Sequence, residues 1–173
     1  MSLKIWRIAA VAMAAAALVG CGADFPPGQI GPTPGIRSPS PVEGTWKTQP
    51  FGRSAIAATL MAAGLGQHVD QFFQTDRTPE DLVISIRIDA SQFTAYRENG
   101  GGVPTVNDRG TYTLERGTLL YRPNSGGVNT YTWSVSGDQL KLTFVSTTEP
   151  DYEGLPNDVF QRAFYTTASF HRA

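Results

Sequence analysis

The sequence predicts a mainly β fold: an antiparallel barrel of eight to ten strands, with a helix-turn-helix insertion after the first strand. Three observations carry that expectation. From Leu82 onward, apolar residues alternate with polar ones in short runs, the period of a half-buried strand. Glycine-rich turns separate the runs, among them Gly100-Gly101-Gly102, Arg116-Gly117 and Ser136-Gly137-Asp138, as in antiparallel sandwiches and barrels. Before Leu82 the apolar spacing is helical instead, with Ile56, Leu60 and Ala63 on one face.

The elements follow in order. Glu43 to Thr48 opens the domain as a short strand carrying Trp46. Ser54 can cap a helix running to Ala63, and Gly64 and Gly66 stop and turn it. A second short helix is expected from Gln67 to Gln74, ended by Thr78-Pro79. Leu82, Ile84, Ile86 and Ile88 share one strand face, and Phe93 and Ala95 lie on the next strand. Gly110 to Leu114 and Thr118 to Arg122 form a pair, and Tyr131, Trp133 and Val135 face the same way, as do Leu140, Leu142 and Phe144. Phe160 to Arg172 is read as a final strand or pair.

The N-terminus has a different character. Lys4 and Arg7 precede an uncharged, alanine-rich run from Ile8 to Val19, the anatomy of a secretory signal peptide and too short for a comfortable bilayer span. The run closes on Leu18-Val19-Gly20-Cys21, and Cys21 is the sole cysteine, so it has no internal disulfide partner. The tetrapeptide resembles a bacterial lipobox. That resemblance implies cleavage after Gly20 and attachment of diacylglycerol and palmitate to Cys21, hence an extracytoplasmic envelope location with the membrane as a partner. Six prolines and four glycines between Gly22 and Pro41 read as a semi-extended tether of roughly 20 residues, with a reach of ~60 Å at ~3.1 Å each. The expected organisation is a signal peptide at 1–20, lipidated Cys and linker at 21–42, and a barrel domain at 43–173.

Charge narrows the partners. Lys4 and Arg7 lie ahead of Cys21, so the remainder carries a net charge of −3, with no basic stripe to attract nucleic acid. His68 and His171 are the two histidines, and no H-x-x-x-H, Cys cluster or Gly-x-Ser-x-Gly is present. The expectation is therefore no enzyme, no catalytic residue, no metal and no cofactor. The stretch from Thr147 to Asp158 interleaves Glu149, Asp151, Glu153 and Asp158 with prolines and Tyr152. Its spacing fits no EF-hand, so it reads as a solvated loop that can offer Tyr152 and Leu155 to another protein.

Gly44-Thr45-Trp46-Lys47, a helix ending Ala62-Ala63-Gly64-Leu65-Gly66, a second helix and then strands alone resemble the intracellular fatty-acid-binding protein family. Gly-x-Trp is also the opening signature of lipocalins, including lipid-anchored bacterial ones, so the wider calycin-like group is the fitting comparison. The resemblance implies a ligand-holding barrel beneath a helical lid. It spans residues 43–173 in layout but only 44–66 in motif. The family's Arg-x-Tyr carboxylate site does not carry over, because the last strand reads Thr167-Ala168-Ser169-Phe170-His171-Arg172. Arg87, Arg97, Arg122 and Tyr165 are the substitutes available, although most of these arginines are expected outside, since an enclosed unpaired guanidinium is costly. The fuller Gly-x-Trp-x-Gly-x-Gly opening of the haem-binding nitrobindin-like group is also absent, with Thr48 and Pro50 in place of glycines.

The functional expectation is a membrane-anchored lipoprotein binding a lipid or other apolar small molecule inside the barrel. The expected lining is Trp46, Leu60, Met61, Phe72, Tyr112, Tyr131, Trp133, Phe144 and Phe164, with Leu60, Met61 and Phe72 on the inner stripe of the lid. The alternative is an envelope interaction or structural lipoprotein with a filled barrel, contacting a protein partner through the 147–158 loop.

Overall fold

Eight antiparallel strands close into an up-and-down barrel: β1 (Gly44–Thr48), β2 (Leu82–Asp89), β3 (Gln92–Asn99), β4 (Thr105–Glu115), β5 (Thr118–Pro123), β6 (Asn129–Ser136), β7 (Gln139–Thr147) and β8 (Phe170–Arg172). The computed structural model describes residues 40–173. The signal peptide, Cys21 and all but the end of the linker lie outside the described residues. Closure comes from β8, which pairs with β7 through Leu140 and Phe170 and with β1 through Trp46 and Arg172. A closed ladder leaves no continuous sheet edge to recruit another chain. Among the described residues no helix is long and apolar enough to cross a membrane.

Two helical insertions interrupt the strands. Between β1 and β2 run α1 (Arg53–Ala62), a 3-10 turn at Gly66–His68 and α2 (Val69–Asp76). Gly52, not Ser54, sits at the N-cap of α1. A side chain at 52 would strike the Glu80 carbonyl oxygen at 2.5 Å, so the helix begins where the two backbones meet. Arg77, in the left-handed region at φ 56°, ends α2. The second insertion corrects the expectation of strand from Phe160: α3 (Asn157–Tyr165) is a helix between β7 and β8. Val159, Ala163 and Phe164 bury one stripe, and Asp158 and Arg162 pair one turn apart at 3.8 Å. The strand count is therefore at the low end of the expected range.

Strand direction sorts the connections. The β2–β3, β4–β5 and β6–β7 links are turns of two residues and lie together at one end. The chain also enters β1 and leaves β8 there: Arg172 N–H donates to Asp138 O at 2.8 Å and Ala173 N–H to Thr45 O at 3.0 Å. The helices and the longer β3–β4 and β5–β6 loops all lie at the other end. The barrel thus has a tight-turn floor and a helical mouth.

Side chains fill the lower interior. Trp46, Ile84, Ile86, Ile88, Phe93, Leu119, Leu140 and Phe170 are fully or almost fully buried. Trp46 Nε1–H donates to Val42 O at 2.8 Å, and the Arg172 guanidinium stacks 4.4 Å from its ring. Each such side chain contributes roughly 1.5–3 kcal/mol by leaving water. The core draws on residues from Val42 to Phe170, and 38–173 separates from 1–37 as a unit by its own internal contacts. The body therefore holds everything it needs to fold.

Candidate functional site

Towards the mouth, the inward-facing positions change chemistry. Register places Arg97 of β3 opposite Ile84, Asp108 of β4 opposite Ala95, and Tyr121 of β5 opposite Tyr112 and Asn129 of β6. These four positions continue the buried face of the sheet, yet each carries a polar group. Asp108 reaches that face through a bulge: Ala95 pairs with Asp108 while Tyr96 pairs with Val106, leaving Asn107 as the extra residue. Bulges characteristically re-aim a side chain in this way.

Arg97 is the one of the three arginines that turns inward, and it does so paired. Its side chain is 14% exposed and forks onto both oxygens of Asp76, at the end of α2 and 7% exposed. Thr78 Oγ1–H donates to the same carboxylate at 3.0 Å. The pair ties α2 to β3, and its cation is committed. Arg87 and Arg122 lie on the outer surface, as expected.

Glu149, two residues past β7, organises the other side of the mouth. It accepts hydrogen bonds from Asn129 Nδ2, from Asn157 Nδ2 at 3.3 Å, from Gln161 Nε2 at 3.4 Å and from Ser125 Oγ at 3.5 Å. Tyr131 Oη–H donates to Gln161 Oε1, extending the network into the barrel. Every donor to Glu149 is neutral. Burial, with the Asp108 charge adding to it, raises the Glu149 carboxyl above the usual range against those bonds. Burial likewise raises Asp108, against a bond from the Arg109 amide at 2.7 Å and the nearness of the Tyr121 phenol.

Between these groups lies an outward-opening cleft of about 420 Å³, with Asp108, Glu149, Gln161 and Tyr165 on its polar side and Phe160 and Phe164 on its apolar side. That volume is in the range of small-molecule sites. Tyr165 is 2% exposed, and among the described residues its hydroxyl has no partner at hydrogen-bond distance. The Tyr121 hydroxyl and Asn129 Oδ1, both buried, are likewise unmatched among the described residues. Asp108 faces Tyr121 and Asn107 faces Tyr165, each short of a well-formed bond. Burial first, then the Asp108 charge, pushes the Tyr121 and Tyr165 phenols far up, so both remain protonated at physiological pH. An unpaired buried hydroxyl costs about 1–3 kcal/mol, and of Tyr121, Asn129 and Tyr165 it is Tyr165 that lines the cleft.

The expected lining residues divide between packing and this cleft. Phe164 lines it, and Tyr131 reaches its base through Gln161. Phe72 lies beneath, with ring centroids 5.4 Å from Phe160 and 5.9 Å from Phe164. Leu60 is buried under α1. Met61, next along the helix, is 61% exposed rather than on the inner stripe, because successive helical residues point about 100° apart. Trp46 is barrel packing, and Tyr112 is held near the floor, its hydroxyl donating to Glu43 Oε1 at 3.1 Å. Phe144 lies 4.8 Å from the Arg162 guanidinium, and Trp133 is half-buried. In the 147–158 segment Leu155 is fully buried while Tyr152 is 55% exposed; packing against the core removes Leu155 from any contact surface.

Sequence reasoning missed Asp108, Asn129 and Gln161 and treated Glu149 as loop charge. Among the described residues no three His, Cys, Asp or Glu side chains come together to hold a metal. A smaller groove of about 270 Å³ crosses the exteriors of β2, β3 and β4 beside Arg87 and Asp89, which pair with each other at 3.0 Å.

No family model and no curated protein matches the chain. Among solved structures, that of a mutant of the fluorescent protein UnaG is similar at 15% identity and a TM-score of 0.34, over 77% of this chain and 96% of that one. The barrel assignment itself rests on the strand pairing described above.

Proposed function

We propose that this chain is a lipid-anchored extracytoplasmic binding protein, not an enzyme, holding a small amphipathic molecule in the helical mouth of its barrel. The Tyr165 hydroxyl, unpartnered among the described residues and buried at the edge of a 420 Å³ cleft, carries the reading. The apolar part of the ligand packs on Phe160 and Phe164, and its polar part meets the Asp108 and Glu149 side. The filled interior below moves the ligand from the barrel axis to the mouth. Anchoring rests on Leu18-Val19-Gly20-Cys21; two or more acyl chains give a lasting attachment where one does not.

Native mass spectrometry of gently purified 38–173, followed by solvent extraction, tests the binding. A stoichiometric bound molecule is expected, and it should be lost in Ser125→Trp, which fills the cleft from its rim. A ligand-free mass across a panel of amphipathic solutes, or binding untouched by Ser125→Trp, rejects the assignment. For the anchor, the full chain should incorporate labelled palmitate and Cys21→Ser should not. Unchanged membrane association of Cys21→Ser rejects anchoring at that residue.

A second reading has its own observation. Tyr152 stands 55% exposed, edge-on to Phe160 at 5.6 Å, as a contact point for an envelope protein above a filled barrel. A photo-crosslinker at Tyr152 that captures one specific protein in cells, together with a ligand-free cleft, selects that reading.

A further inference from the structure

Resting on the cleft as the binding site, we propose that the ligand's polar group is an organic ammonium, seated by Asp108, Glu149 and the Tyr165 hydroxyl. The argument is a census of donors and charges around the cleft. Asp76 is neutralised by Arg97. Among the described residues Asp108 and Glu149 have no cation at ion-pair distance, and the groups that donate to them are a backbone amide, side-chain amides and a hydroxyl. Phenol oxygens accept as well as donate, so Tyr165 offers another acceptor. The cleft lining sets three carboxylates, Asp76, Asp108 and Glu149, against the one guanidinium of Arg97, and that guanidinium is spent on Asp76.

A primary ammonium supplies up to three N–H donors and one positive charge. The apolar side suits the same ligand, since ring faces such as those of Phe160 and Phe164 attract cations at about 0.5–2 kcal/mol. The structure holds a precedent, with the Arg97 guanidinium 5.5 Å from the Phe164 ring. A carboxylate ligand would instead lie beside two acidic side chains, Asp108 and Glu149, with the cleft's guanidinium already on Asp76.

The charged and titratable groups lining the seat are Asp76 of α2, Arg97 of β3, Asp108 of β4, Glu149 and Tyr152 of the segment between β7 and α3, and Tyr165 of α3, with the Tyr121 and Tyr131 phenols in the packing behind them. Asp108 and Glu149 are the ones that change charge on the acid side with their pKa raised, so ammonium affinity falls as pH drops and both become neutral. A neutral ligand loses nothing by that change.

Three near-isosteres separate the possibilities on folded 38–173: 2-phenylethylammonium, 2-phenylethanol and phenylacetate, titrated by calorimetry with amide shifts locating the site. The ammonium should bind at least about tenfold more tightly than the alcohol at pH 7.5, which is ~1.4 kcal/mol, with phenylacetate weakest. Its advantage over the alcohol should shrink at pH 4.5 and in 0.5 M salt, and Asp108→Asn should narrow the ratio between the two affinities. The pH and salt series on the parent protein decide the matter even where a variant misfolds. Equal or tighter binding of the alcohol or phenylacetate in the cleft overturns the cation and leaves the cleft standing. No response of the cleft residues to any of the three overturns the ammonium seat, and ligand-free native spectra alongside it remove the cleft reading too. An ammonium on a phospholipid headgroup offers the same chemistry as one on a solute. Competition of the bound amine by phosphatidylethanolamine vesicles assigns the headgroup, and lack of competition assigns a solute.

Discussion

Gly110 is the point where the mouth depends on backbone proximity, and Gly110→Ala tests it. A methyl group there would lie 1.9 Å from the Arg122 carbonyl oxygen, 2.7 Å from its carbon and 2.8 Å from Pro123 Cα. All three are backbone atoms, so no rotamer change relieves the clash. Ordinary contact begins near 3.4 Å, and β4 and β5 would have to part by about 1.5 Å where Gly110 faces Pro123. Overpacking typically costs about 1–3 kcal/mol and more when backbone must move. The gain from a stiffer unfolded chain, about 0.4–1 kcal/mol, does not offset it. A net loss of ~3 kcal/mol corresponds to a fall of roughly 10–15 °C in the melting midpoint for a body of this size. Circular dichroism melts of 38–173 measure it. Gly66→Ala is the control, because its methyl would meet only Met61 Cγ at 3.5 Å. A Gly110→Ala midpoint within about 2 °C of the parent would falsify the close-approach argument. The displacement should also be felt two residues away, where Asp108 meets Tyr121.

Three further outcomes are expected. Asp108 holds its proton more tightly folded than unfolded, so its contribution to stability is largest below the unfolded carboxyl pKa and is lost as pH rises through the raised folded value; Asp108→Asn should therefore raise the midpoint by about 2 °C or more at pH 7.5 and lose that advantage near pH 3.5, and a gain present only in acid contradicts the sign. Arg97→Ala strands the Asp76 carboxylate in a nearly buried position and should cost about 3–5 kcal/mol, whereas the double change Arg97→Met with Asp76→Leu should recover most of it in urea titrations; equal losses in both would show that the charge is not the cause. Phe72→Ala removes a ring lodged against Phe73, Phe160 and Phe164 and should lower stability by about 3–5 kcal/mol, a value that a midpoint shift under about 3 °C would exclude.

Period-2 alternation made β2, β6 and β7 readable, because one face of each is buried along its length. The helix pair was readable from its change of period and the glycines after it. α3 was not, because Phe160, Phe164 and Tyr165 look like strand aromatics until Asp158 and Arg162 are noticed four apart. The mouth was hidden for a different reason. The extra residue at Asn107 breaks the alternation in β4, so Thr105 to Arg109 reads as loop and Asp108 loses its inward assignment. Asn129 and Glu149 lie in the register of a strand end, where polar residues ordinarily meet water. Their burial comes from α3 folding over them, which nothing in their own neighbourhood encodes.

The tight-turn end is where the chain comes in, and that gives the molecule a polarity. Strands of about eight residues at ~3.3 Å each, tilted by roughly 40° as barrel closure requires, set the helical rim about 20 Å from the floor. The chain enters β1 and leaves β8 at the floor, so a dye, bead or surface attached at either end of 40–173 would stand across the barrel from the cleft and leave its mouth open to solutes.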